Sequence, residues 1–390
     1  MHIVQLAKYY PPHLGGIENN TRQCAQALVR DHRVTVLAFS ESGKTVREKD
    51  GDVDVIRLRS FGKISSQELC FTIGFELKRL KPDIVHLHAP NPLAMLAYRM
   101  FTPHARLVIT HHTDMVRQRL LRLLFLPLYR RLVRSCSALV VYTRKYYEDC
   151  TELSNLGRDP EIIPNGTMVP DYLKDASFQA EAQALREKTA PGDRILLCFI
   201  GRFVEYKGLR HLLHAMVACP NAHAVFAGDG PEREAIYNRV KELKLTERVM
   251  LVGPVFGRSK WLLLRASDFV VLPSINGTES FGQFLVEAQL CARPAIVTSI
   301  PGGVTEVVLP NQCGLVVPPG DVSALATAIR RLARDASLRV KLGAAGEARA
   351  RSRYTAEAVD DLVRGLFSKV AKEVTAQASA PKKGFVLGST

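Results

Sequence analysis

This chain predicts two doubly wound α/β domains, each a parallel sheet covered by helices on both faces. Three observations lead there. Short apolar runs rich in Val, Ile and Leu alternate with helix-length segments in both halves, the pattern of strands buried on two faces. The 390 residues exceed the roughly 250 to 300 at which single cores stop growing. A polar, Ala-rich stretch at 172–192, after IIPNGTMVP with its Asn165-Gly166 turn signal, stands between the halves.

In the first half the strand-like runs are HIVQLA, RVTVLAF, VDVIRLR, DIVHLH, RLVIT and ALVVYT. The first opens the chain, and MHIVQLAKYY lacks the charged, apolar and small-residue order of a signal peptide. In the second half the runs are RILLCFIG, HAVFAG, RVMLVG, DFVVLP, PAIVTS and GLVVPP. The expected division is an N-terminal domain over 1–180 and a second over 181–355, then a helix over 356–374 returning to the N-terminal domain. The small, polar and basic residues 375–390 read as a disordered tail.

Hydrophobic residues at 47% and charged residues at 23% describe an ordinary soluble chain. Lys and Arg number 53 against 38 Asp and Glu, a net charge of +15. Such an excess attracts nucleic acid, anionic membrane or phosphate-bearing substrates without choosing among them. No aromatic stacking platform or groove-reading motif accompanies it, so nucleic acid is not an expected partner. The eight cysteines (24, 70, 136, 150, 198, 219, 291 and 313) are scattered with no CxxC pair, which argues against a zinc site or disulfide scaffold and for a reducing cytosol. No uninterrupted apolar run reaches the roughly 18 residues of a membrane span.

Ligands of doubly wound sheets bind beyond the carboxyl ends of the strands, and the chemistry is sought there. After FVVLPS comes ESFGQFLVEAQLCARPAIVTSIPGGVTE, with Glu279 before a helix start and Glu287 eight positions later. Ser280, Phe281 and Gly282 offer amides at that helix N-terminus, where the dipole favours phosphate. Glu287, deeper in the helix, suits ribose hydroxyls. The alternative is a surface helix with incidental acids. After RILLCFIG, the sequence GRFVEYKGL places Arg202 and Lys207 where two cations clamp a diphosphate, unless they are merely solvated.

Gly15 and Gly16 open a helix after the first strand, where paired glycines permit close approach of a phosphate; a plain turn explains them equally well. RLVIT delivers THHTD, with His111, His112 and Asp114 beyond a strand end. One imidazole there can meet a sugar hydroxyl. HHxD offers too few ligands for a metal, and none is expected. Residues 116–134, VRQRLLRLLFLPLYRRLVR, set Arg117, Arg119, Arg122, Arg130, Arg131 and Arg134 around an apolar centre with no acid. They read as an interfacial helix meeting lipid phosphate; the alternative is an ordinary domain helix whose Leu face is core, and Pro127 breaks or kinks it.

The acid pair, the GRxxxxKG-like element, GDGPER at 228–233, PGGVTE and CGLVVPPGD together resemble glycosyltransferase family four over nearly the whole chain. The order of these motifs is more specific than any one of them. The resemblance implies the GT-B fold, two Rossmann-like domains facing across a cleft, with the nucleotide donor on the second and the acceptor on the first. ITHHTDMVRQRLL is similar to a bacterial mannosyltransferase-like branch that builds lipid-linked polysaccharide.

Carried over, the resemblance implies that Arg202 and Lys207 meet the diphosphate, Glu279 orients the transferred sugar and Glu287 holds the ribose. Amides near Phe281 and Gly282 would meet sugar or phosphate, Gly16 would close over the diphosphate, and His112 rather than His111 would contact the sugar. The turn at 253–256, with Gly253 and Val255, would lie near the base. Two positions depart from the family pattern: Ala292 stands where a Gly is usual, and Gln283 where an aliphatic residue is usual. The implied enzyme is a retaining hexosyltransferase at the inner face of the membrane, using GDP-mannose or a related GDP-hexose and a lipid-linked glycan acceptor, with no metal or other cofactor. A UDP-sugar enzyme of the same fold, a nucleotide-sugar epimerase and a basic nucleic-acid-binding protein are the alternatives.

Overall fold

The computed structural model describes residues 1–379 apart from 14, 41, 65, 66 and 115–118; for 63, 64, 67, 119–121 and 377–379 it describes the backbone alone. The chain divides into two compact units: 1–140 with 156–161 and 360–390, and 141–155 with 162–359.

Unit 1 is built on an eight-stranded sheet. Its strands are β1 (His2–Leu6), β2 (Arg33–Ser40), β3 (Val46–Asp50), β4 (Val53–Arg59), β7 (Ile84–Ala89), β8 (Arg106–His111), β9 (Ala138–Val141) and β10 (Glu161–Ile162); β5 (Lys63–Ile64) and β6 (Gln67–Glu68) form a separate two-stranded ribbon. The order is β10-β9-β8-β7-β1-β2-β4-β3. The strands from β9 to β4 are parallel to their neighbours, and at the edge β3 runs antiparallel to β4. That strand, VREKD, is exposed and charged, and no apolar run announced it. Helices α1 (Gly16–Leu28), α2 (Ile73–Leu80), α3 (Pro92–Phe101) and α4 (Arg119–Ser135) complete the first part of the unit.

Unit 2 contains α5 (Arg144–Asp149), α6 (Ala176–Thr189) and a six-stranded sheet. Its strands are β11 (Ile195–Ile200), β12 (Ala222–Ala227), β13 (Val249–Val252), β14 (Phe269–Leu272), β15 (Ala295–Thr298) and β16 (Gly314–Val317), in the order β13-β12-β11-β14-β15-β16. Every neighbouring pair is parallel. The helices are α7 (Leu209–Val217), α8 (Arg233–Glu242), α9 (Gly257–Ala266), α10 (Gln283–Leu290), α11 (Val304–Val307), α12 (Val322–Arg334) and α13 (Ala336–Arg353). Phe199, Phe203, Phe226 and Phe269 are fully buried among the strands. The order reverses between β11 and β14, so their carboxyl ends form the switch point at which an α/β sheet opens a crevice.

Three expectations are corrected. The stretch 172–192 is no boundary: Phe178 and Ala182, one helical turn apart, are buried on α6, which packs against α9 within unit 2. Its polar residues are the helix's solvated face, and Arg258 of α9 lies 4.9 Å from the Phe178 ring. Helix α4 runs on through Pro127. The bond that proline forfeits would go to the Leu123 carbonyl, and Leu123 is on the exposed side of the helix, where water substitutes. The last helix, α14 (Ala356–Ser379), continues past residue 374 into the expected tail, and residues 380–390 lie outside the described ones. From Asp360 this helix belongs to unit 1: Arg364 donates to Asp31 at 2.7 Å, and Phe367 packs edge-on to His86 with ring centres 5.2 Å apart.

Candidate active site

The carboxyl end of β11 passes into a loop and a short 3-10 turn at Glu205–Lys207. Gly208 then takes φ 69° and starts α7; a Cβ there would lie 2.0 Å from the Pro273 carbonyl oxygen, so only glycine lets the turn settle against the end of β14. Lys207 is thereby held at the switch point with 9% of its surface exposed. Its Nζ donates to Glu279 Oε2 in a buried ion pair, and lies 5.4 Å from the Tyr206 ring centre. Burial pulls the Lys207 ammonium down, but attraction to Glu279, helped by Tyr206, outweighs it and raises the pKa above the ordinary value. Lys207 is therefore a fixed positive charge. Glu279 spends Oε2 on that charge, and among the described residues nothing donates to Oε1.

Arg202 stands five positions before Lys207, at the end of β11. Its side chain is exposed and makes no ion pair or hydrogen bond with any described residue. Lys207 and Glu279 are brought together from the loops after β11 and β14; Arg202 shares the loop of Lys207 but bonds to neither.

Gly282 caps α10 at φ 78°. Among the described residues nothing accepts from the amides of Ser280, Phe281, Gly282, Gln283 and Phe284. Five successive donors without a described acceptor at the positive end of a helix dipole are the chemistry that favours an anion. The Phe281 side chain is buried instead, packed edge-on to Tyr354 with centres 5.8 Å apart. The Ser280 carbonyl accepts from the Gly303 N–H at 3.1 Å. A Cβ on Gly303 would lie 2.4 Å from that oxygen, so the PGG turn braces that segment from behind.

Glu287 lies one turn inside α10 and is buried. Burial pushes its carboxyl above the usual range, and Lys260 of α9, 2.5 Å away, opposes that rise. Sequence reasoning missed Lys260. Its only signal is a basic residue in the first turn of the helix after Gly253–Phe256. In that turn Gly253 is exposed, its carbonyl accepting from Gly228 N–H at 3.2 Å, and Val255 packs on the core.

The two departures have local causes. Gln283 donates from Nε2 to Thr167 Oγ1 at 2.6 Å, a bond no aliphatic residue makes. Ala292 adopts φ 55°, the left-handed region where glycine is at ease and alanine is strained.

The remaining expected residues belong to unit 1. Gly16 begins α1 and is exposed, with nothing within 4 Å of where a Cβ would stand. His112 is buried, with Nε2 2.9 Å from Nδ1 of His88. His111 is buried in a different arrangement, 2.6 Å from the Tyr129 hydroxyl and 3.2 Å from Asp114. Arg117 lies outside the described residues, and Arg119 begins α4 with only its backbone described. Arg122 and Arg130 are half-buried on α4, and Arg131 is exposed. Among the described residues no helix is long and apolar enough to cross a membrane.

Known proteins resemble this chain across both units. Residues 14–168 match the family model described as Glycosyltransferase Family 4, and residues 181–349 match Glycosyl transferases group 1. O-antigen chain mannosyltransferase C of Escherichia coli is 29% identical over 94% of this chain and 98% of its own length. D-rhamnosyltransferase WbpZ of Pseudomonas aeruginosa is 31% identical over 70% of each chain. The structure of sucrose-phosphate synthase from Thermosynechococcus elongatus superposes with a TM-score of 0.77 at 21% identity, covering 95% of this chain and 99% of that one. With both domain models matched and the two parallel-sheet units in place, the chain belongs to the family-four, group 1 glycosyltransferases of GT-B fold.

Proposed function

We propose that this glycosyltransferase moves a manno-configured hexose, with retention, from a GDP-sugar to a lipid-linked glycan during assembly of a bacterial surface polysaccharide. The observation that carries the reading is the Lys207–Glu279 pair beside five open amides at the switch point of unit 2. Diphosphate recognition needs a fixed cation and N–H donors, and the buried Lys207 with the amides at the start of α10, open among the described residues, supports that reading. The manno configuration is supported by the names of the two relatives, a mannosyltransferase and a D-rhamnosyltransferase, because D-rhamnose is mannose without its 6-hydroxyl.

The way the acids are used supports retention. Each carboxylate is tied to its own lysine, Glu279 to Lys207 and Glu287 to Lys260, which suits gripping hydroxyls better than attack on an anomeric carbon. The acceptor oxygen then bonds to the anomeric carbon on the face that the diphosphate leaves. The bond to phosphate breaks with its electron pair going to the nucleoside diphosphate, and the acceptor's proton passes to the departing phosphate oxygen. Lys207, Arg202 and the helix amides stabilise that charge, so the reading needs no metal.

The membrane reading is supported by α4. Leu123 and Leu124 are 74% and 71% exposed on a helix whose sequence contains five arginines and no acid. Apolar groups presented to water among cations fit the surface of an anionic bilayer. The inner face of the cell membrane is the place where such a surface meets nucleotide sugar.

A thermal-shift panel of GDP, UDP and ADP sugars tests the donor, since only a ligand of the folded state raises its stability, by about 2.7 kcal/mol at a hundredfold excess over Kd. Stabilisation by GDP-mannose is expected. Stabilisation by UDP sugars alone transfers the proposal to a UDP donor, and a β-linked product from an α-linked donor rejects retention.

A further inference from the structure

A line of polar side chains crosses the middle of the unit 1 sheet, where apolar residues are the rule. In the parallel register Gln5 of β1 stands beside His86 of β7, and His88 stands beside Thr110 of β8. Side chains alternate along strands, so Gln5, His86, His88 and Thr110 share one face, and His112 extends it just past the end of β8. All five are buried. Groups so placed must satisfy one another, and their hydrogen bonds have a direction.

The direction starts at helix α1. The Gln5 carboxamide oxygen accepts from the Ala25 N–H at 3.0 Å, and its NH2 donates to the Thr21 carbonyl at 3.2 Å and to His88 Nε2 at 2.9 Å. The opposite orientation would set oxygen against oxygen and N–H against N–H. His88 is held neutral by burial, with its pKa well below the usual value. A neutral imidazole carries one proton. With Nε2 accepting from Gln5, that proton is on Nδ1, from which it is donated to His112 Nε2 at 2.9 Å. His112 is likewise neutral, burial lowering its pKa to about 3. Its Nε2 being an acceptor, its own proton is on Nδ1.

We infer that Gln5 and His88 are positioning residues that lock His112 as the Nδ1–H tautomer, so that the basic ring nitrogen of His112 is already spent on His88 and the residue does not act as a base in transfer. The backbone amide of one helix residue thus decides the chemistry of an imidazole two side chains away. A purely structural network would hold the same rings in place whichever tautomer they carried. That His112 bears on sugar transfer rests on the proposed function; the tautomer does not.

The test is long-range 1H–15N correlation on the full chain with labelled histidine, for wild type and Gln5→Leu, alongside transfer assays. Wild type is expected to show His88 and His112 both protonated at Nδ1 and bare at Nε2. In Gln5→Leu the lock is released, the His112 signals move towards Nε2 protonation, and transfer falls while the donor-induced thermal shift is kept. A wild-type His112 protonated at Nε2 overturns the inference, as does an unchanged tautomer in a folded Gln5→Leu chain. Should that variant not fold, the wild-type spectrum decides. The spectrum needs no substrate, so failure of the donor assignment leaves this result standing, and the reverse.

Discussion

Lys207 is nearly removed from water beside a single carboxylate, so stability and catalysis at this position are separable. Lys207→Met leaves Glu279 buried and unpaired, and is expected to cost about 3–5 kcal/mol in urea unfolding. Lys207→Met with Glu279→Leu restores most of that stability, because an apolar pair replaces an ion pair, while kcat stays down about 10²–10³-fold. Full recovery of kcat in the double variant would show that the pair is structural only. Ala292→Gly relieves the left-handed strain at φ 55°; after the entropy cost of glycine it is expected to gain about 0.5–1 kcal/mol in the same measurement. The acids and Lys207 were legible in the sequence because strand ends, turns and helix starts place them with short-range signals. Lys260 was not. Its bond to Glu287 joins residues 27 apart through the packing of α9 on α10, and no local pattern encodes which surface lysine a buried acid selects.

Strand β7 carries His86 and the residue just after β8 is His112, both lowered to about 3 by burial. In the unfolded chain these groups have the ordinary value of about 6.5. Above that pH both states are neutral and nothing is lost. As pH falls from 6.5 towards 3 the unfolded state takes up protons that the folded state refuses, so stability declines across that window. At pH 5 each of the two is expected to cost on the order of 2 kcal/mol relative to pH 7. Unfolding at the two pH values measures it, and His86→Phe is expected to reduce the difference. Helix α4 makes a separate prediction: Leu123→Gln with Leu124→Gln is expected to abolish sedimentation with anionic vesicles and leave the donor-induced thermal shift unchanged. Undiminished vesicle binding would exclude that face. Apolar alternation exposed the buried strands at sequence level. It missed β3, whose VREKD is an edge facing solvent, and it misread α6, whose core signal is a narrow stripe of Phe178, Ala182 and Leu185.

At the scale of the molecule, two units of similar design hold different parts of the candidate machinery. The second has its cation, acids and open amides at one switch point, and the first has a buried imidazole line and the exposed arginine-bearing helix. The doubly wound class was readable because parallel strands buried on both faces become continuous apolar runs. The place of segment 141–155 was not, because it belongs to the second unit although the residues on either side of it belong to the first, which depends on packing rather than on composition. The central claim is that the second unit holds a sugar nucleotide by its diphosphate through Arg202, Lys207 and the α10 amides. The most direct measurement compares wild type with the Arg202→Ala, Lys207→Ala double variant for GDP-mannose-induced stabilisation and for sugar transfer. Loss of both in a chain that still unfolds cooperatively is the predicted result; transfer at the wild-type rate contradicts the account.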